Sequence, residues 1–153
     1  MYSKFPLINY NGLSLAEITR RLTISNSVKN RVGTYDLYLV KEGERIEDLA
    51  YRIYGDPNYN WVIMLMNDII DPFYDWAMSS RELDAHVTAS YANPAGIHHW
   101  ELNGKVVTEQ LGAVSITNFT YEDRLNEERR KIKLLRKAYI PVIEEEVSRL
   151  LNQ

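Results

Sequence analysis

The chain of 153 residues contains no cysteine. Disulfide stapling and thiolate metal sites are thereby excluded, and an origin in a reducing cytoplasm is favoured. Charge of one sign is scarce as well. Eighteen Lys and Arg against twenty-one Asp and Glu leave a net charge of −3, too small to hold a polyanion, so no nucleic-acid partner is expected. Long apolar runs are also missing. The longest, Trp61 to Met66, falls far short of the ~20 residues that span a bilayer. The opening Met1-Tyr2-Ser3-Lys4-Phe5-Pro6 has no apolar stretch of the kind that directs secretion. The glycosylation triplet Asn118-Phe119-Thr120 therefore carries no weight. The expectation is a soluble protein made in a cytoplasm, with no membrane partner.

Catalytic patterns are absent too. There is no phosphate-cradling glycine loop, no Gly-x-Ser-x-Gly elbow and no His-Glu-x-x-His helix. Of the three histidines, strand alternation places His99 with Glu101 on one face and His98 on the other. Two ligands are fewer than zinc requires, so these read as surface or interface residues on a hairpin. Asp68 and Asp71 flank a helix end, and Asp before Pro72 is a turn signal before it is an acid–base pair. Glu144-Glu145-Glu146 complements the dipole of a helix start. The basic run Arg129-Arg130-Lys131 with Lys133, Arg136 and Lys137 is offset by neighbouring acids and reads as a solvated face. No catalytic residue, metal, cofactor or small-molecule substrate is expected.

What the chain does have is aromatic surface: eleven tyrosines and three tryptophans, residue types that fill small cores and dominate interfaces. Residues 1–13 read as irregular, with Pro6 and Asn11-Gly12 as breakers. Ser14 and Glu17 match a capping box ahead of Leu15, Ile18 and Leu22, which predicts a short helix over 14–23. Residues 24–33 read as a linker. Tyr35 to Val40 alternates as a strand, ended by Lys41-Glu42-Gly43. Ile46, Leu49, Ala50, Ile53 and Tyr54 line one face of a helix over 44–54, and Gly55 stops it. Asp56-Pro57 starts a second helix to about Asn67. Its centre is apolar all round, so another segment or another chain must cover it.

Asp71-Pro72 breaks the chain, and Phe73 to Trp76 forms an aromatic loop. A second capping box, Ser79 and Glu82, opens a helix over 80–90. Ile97–Leu102 and Lys105–Thr108 flank Asn103-Gly104, a strong hairpin signal, and Ala113–Thr117 suggests a further strand. Pro141 opens a last helix carrying Val142, Ile143, Val147, Leu150 and Leu151. The fold class is α+β: a strand–helix–helix core at 35–78, an N-terminal arm with a short helix at 1–34, and a helix, hairpin and C-terminal helix at 79–153.

The order strand, turn, helix, Tyr54-Gly55-Asp56-Pro57, second helix, Asn67, Asp71-Pro72 resembles the LysM module, a binder of peptidoglycan and chitin chains. Such a module closes with a second strand after helix two. Residues 69–76 offer none, so carbohydrate binding ranks as the alternative reading. A wider resemblance is to the small baseplate-wedge protein family of contractile-tailed (T-even-like) bacteriophages. It rests on Phe5-Pro6, Tyr10, Glu47-x-Leu49-Ala50-x-x-Ile53-Tyr54-Gly55-Asp56-Pro57, Trp61-Val62, Asn67-Asp68, Asp71-Pro72 and Tyr74-x-Trp76. The His99–Glu101 hairpin and Asn126-Glu127 before Ile132 extend it. Ile46 stands where that family often has proline, and the N-terminal part is shorter. The resemblance implies a virion protein of the tail baseplate, made in the host bacterial cytoplasm. It implies six copies or a multiple per baseplate, tying neighbouring wedges to one another and to the central hub or tail tube. Trp61, Met64, Tyr74, Trp76, His99 and Trp100 are the candidate partner contacts.

Overall fold

The computed structural model describes residues 7–16, 29, 31, 33–109 and 111–151. Helices and short sheets mix along the chain, as an α+β fold requires. Two compact units form, interleaved in sequence: residues 1–38, 44–75 and 132–153 make the first, residues 39–43 and 76–131 the second.

In the first unit, β1 (Leu7–Tyr10) and β2 (Leu13–Ala16) form an antiparallel hairpin. Asn11 and Gly12 turn it with positive φ of 51° and 79°, the pair a tight hairpin turn demands. Residues 7–10 are thus not irregular, and Ser14 to Ala16 are strand, not the start of a helix. The capping pattern competed with Asn-Gly turn chemistry and lost. The rest of the 14–23 stretch, and nearly all of the expected linker, lie outside the described residues.

β3 (Tyr35–Leu39) leads into α1 (Ile46–Tyr54), which buries Ile46, Leu49, Ala50 and Tyr54. Gly55, at φ 87°, ends it by donating its N–H to the Tyr51 carbonyl at 2.8 Å. Asp56 accepts the Asn58 N–H at 2.8 Å and caps a 3-10 turn at Pro57–Tyr59 that runs into α2 (Asn60–Met66). Trp61, Val62, Ile63 and Met66 are buried and Met64 and Leu65 half-buried, so segments of the same chain cover this all-apolar helix. The second strand of the unit comes from far downstream. β7 (Lys131–Leu135) pairs with β3. Arg136 N–H donates to Thr34 O and Val40 N–H to Arg130 O, so the two strands run antiparallel. A C-terminal helix, Ile140–Leu151, completes the unit and buries Ile140, Ile143, Val147 and Leu151.

The outward backbone groups of β7 are taken by helix-end side chains. The Asn67 amide donates to Lys133 O at 2.9 Å and accepts the Lys133 N–H at 2.8 Å. It also donates to Ile63 O, closing α2. Two residues on, the Tyr54 hydroxyl donates to Leu135 O at 3.0 Å.

In the second unit, α3 (Ser80–Ser90) opens on a complete capping box, Ser79 with Glu82. β4 (Ile97–Leu102) is the centre of a three-stranded antiparallel sheet, between β5 (Lys105–Val107) and β6 (Val114–Thr117). Asn103 and Gly104 make its turn at φ 50° and 74°. α4 (Asn118–Arg129) follows, capped by Thr117, whose hydroxyl accepts the Thr120 N–H. Its buried residues are polar, Glu122 and Asn126. Asn126 repeats the amide clamp: it accepts the Met78 N–H at 2.7 Å and donates to Met78 O at 2.9 Å.

Two predictions follow from the edge of β7. Asn67→Leu removes both side-chain hydrogen bonds to the Lys133 backbone and is expected to lower stability by about 2–4 kcal/mol in chemical denaturation. Burial pushes the Tyr54 phenol from 10.0 up to about 12. Its neutral, hydrogen-bonded form is therefore favoured by folding. That contribution is full below pH ~10 and disappears as pH rises through ~12. Tyr54→Phe is expected to lose about 1 kcal/mol at neutral pH, with the gap to the natural protein narrowing in denaturation curves above pH 10.

Candidate functional site

The six residues expected to meet partners divide between the units. In the first, Trp61 is 8% exposed and belongs to the core, where its neighbours Val62 and Ile63 also sit. Met64 is half-buried on the same helix. Tyr74 is open to solvent on the loop after α2. In the second, Trp76, His99 and Trp100 are half-buried.

The surroundings of His99 were only partly readable. Register shifts between Ile97 and His99: Ile97 stands opposite Thr117 and His99 opposite Ile116. His98 is therefore the extra residue of a β-bulge, and alternation fails there. It does not point away from His99. The two rings meet with Nδ1 atoms 2.8 Å apart, and His98 stacks on Tyr121 of α4 at 3.9 Å between ring centroids. His99 Nε2 lies 3.0 Å from Glu101. Arg124 reaches the same carboxylate with one guanidinium nitrogen at 2.9 and 2.8 Å. Arg124, and after it His99, hold Glu101 below the usual carboxylate range.

The third histidine adjoins this cluster. His86 Nε2 is 3.4 Å from Glu122, a buried carboxylate that also accepts from the Tyr91 hydroxyl at 2.7 Å. That bond is the main cause raising the Tyr91 phenol above its ordinary range. Sequence spacing does not show this network, because a bulge and a polar helix face create it. Among the described residues no group of three or more His, Asp or Glu side chains gathers at a metal-binding spacing. The Glu101 partners are a guanidinium and an imidazole, and those of Glu122 a phenol and an imidazole, which suits the network to holding β4 and α3 against α4. Asp68 pairs with Lys29, and Asp71 caps a turn through the Phe73 N–H.

Large apolar side chains lie open in both units. Leu37, Ile70, Phe73 and Tyr74 do so in the first, and Leu39, Ile97, Val106, Leu111 and Val114 in the second. Val106 and Val114 stand opposite Glu101 on either side of β4, so they share its face of the sheet. Isolated apolar residues on a surface are ordinary, whereas contiguous apolar patches are where other molecules bind. No helix of the described residues is long and apolar enough to cross a membrane.

The family described as Base plate wedge protein 53 matches residues 7–113, more than half of the chain. Baseplate wedge protein gp53 of Enterobacteria phage T4 is 35% identical over 71 residues, which are 44% of this chain and 36% of the T4 protein. The chain belongs to the base plate wedge protein 53 family, a family of phage baseplate components. The matched stretch spans about a third of the T4 relative's length.

The network fixes the histidine tautomers. The ionised Glu101 only accepts, so His99 carries its proton on Nε2 and offers a lone pair at Nδ1. His98 must then donate from Nδ1. Nitrogen-15 NMR of the neutral rings is expected to show the Nε2–H form for His99 and the Nδ1–H form for His98. A His99 ring protonated on Nδ1 alone contradicts the arrangement.

Proposed function

We propose that this protein is a structural, non-catalytic connector of the phage tail baseplate, joining neighbouring wedges to one another and to the central hub as the baseplate assembles. The observation that carries the reading is that each unit keeps its own set of open apolar side chains, Phe73 and Tyr74 in one, Val106 and Val114 in the other. A connector needs one surface for each neighbour. Burying such side chains stabilises a complex by roughly 25 cal/mol per Å² of apolar area before the entropic cost of association. Family membership supports the setting: the virion tail, other wedge proteins as partners, and a copy number following the six-fold baseplate. Synthesis in the host cytoplasm fits the lack of cysteine.

Carbohydrate binding is the second reading. One observation favours it: β7 pairs with β3 and supplies the closing strand that residues 69–76 do not.

Co-expression with the other wedge proteins of the same phage tests the first reading. A complex that stays intact through size exclusion is expected. Failure of every wedge protein to co-purify, together with calorimetric binding of chitooligosaccharides, replaces it with the second.

A further inference from the structure

The loop after α2 presents the most exposed aromatic side chain of the described residues. Phe73 is 87% exposed, Ile70 72% and Tyr74 69%. Apolar side chains this open usually sit on segments whose backbone is loosely held. Here the backbone is tied at every donor. Asp75 accepts the Ile70 and Asp71 N–H groups at 2.9 Å each. The Asp71 carboxylate accepts the Phe73 N–H at 2.9 Å. The Asp71 carbonyl accepts from Tyr74 at 3.1 Å and Asp75 at 2.8 Å. The remaining residue, Pro72, has no N–H and a fixed φ. Two carboxylates thus lock a six-residue turn whose three large side chains lack cover.

Charge narrows what covers them. Asp71 and Asp75 place two carboxylates in the loop itself, Asp68 before it is paired with Lys29, and the sequence between Arg52 and Arg81 holds no lysine or arginine. An anionic membrane surface repels such a loop although its aromatics suit a bilayer interface. A second copy docking through the same loop brings like charges together. A pocket that is apolar at its centre and basic at its rim complements both features.

We propose that Ile70, Phe73 and Tyr74 form a preorganised plug that docks into an apolar, Lys/Arg-rimmed pocket of a different baseplate protein. This rests on the connector reading and names the surface and the chemistry of one partner. Because the loop is locked before binding, little ordering entropy opposes docking. The aromatic pair supplies the buried centre of the contact.

The test uses the full chain co-expressed with the wedge proteins of its phage. Phe73→Ser/Tyr74→Ser is expected to fold with an unchanged melting temperature, since neither residue is in the core. Its affinity for one wedge protein is expected to fall at least about tenfold. Asp75→Asn keeps an acceptor oxygen for the loop and removes a charge. It is expected to bind with a weaker dependence on salt than the natural sequence. The inference is overturned if the double variant retains full affinity for every wedge protein that the natural chain binds; the connector reading then survives. If the natural chain binds no wedge protein, both fail. Flotation of the natural chain, but not the double variant, with phosphatidylglycerol vesicles overturns the protein partner in favour of lipid.

Discussion

The first unit depends on how the outer edge of one strand is satisfied. Among the described residues β7 has a strand partner on one side only, β3. A two-stranded sheet is marginal in water, and an open edge pairs with whatever strand arrives. Here the edge is taken by the ends of two helices. Asn67, at the end of α2, presents one acceptor and one donor to Lys133 as a neighbouring strand would. Tyr54, at the end of α1, takes the carbonyl of Leu135. The helices are thereby fixed to the strand by directional bonds as well as by apolar packing, which has no direction of its own. Removing either bond leaves a polar group behind in the protein interior, an outcome worse than losing a contact.

The second unit uses the same device with different elements. Asn126, buried in the last turn of α4, holds both backbone groups of Met78 just before the capping box that opens α3. Two asparagines with side chains at half-buried or buried positions therefore do the work of short strands. Asparagine suits the task because its amide is a neutral copy of the peptide group. Aspartate lacks the donor, and leucine of similar size lacks both groups. Tyr54 and Asn67, which make the bonds to β7, both lie within the stretch that matches the wedge family.

What was legible in the sequence was local. The Asn103-Gly104 hairpin, the Ser79–Glu82 box, the strand at 35 and the helices ending at Gly55 and Asn67 all arise from interactions a few residues apart. What was missed depends on distance or on polarity. Asn11-Gly12 is the same turn signal as Asn103-Gly104, yet a nearby capping pattern masked it. α4 was hidden because its inward residues, Glu122 and Asn126, give no apolar stripe. β7 was unreadable as a closing strand because its partner lies about a hundred residues earlier. The bulge at His98 reversed the expected direction of one ring, since alternation holds only while pairing is regular. Of the six candidate contacts, the aromatic pattern alone did not separate Trp61, which fills the core, from Tyr74, which is open.

The late arrival of β7 carries a consequence for assembly. Residues 76–131 stand between the second helix and the strand that completes its unit. The Arg136–Asp36 bridge spans 100 residues of sequence, so β3, α1 and α2 are made long before their closing strand. Loop-closure entropy grows only slowly with length, so the insertion costs little stability once its own residues are folded. Pairing across that distance is slow, however, and until it occurs β3 has an open edge. A small unit that must wait for its last strand gains from a locked, hydrogen-bonded turn at 70–75, which needs nothing beyond its own six residues to form. The most exposed apolar surface of the unit is then also its most local structure, and it can be in place before the sheet closes.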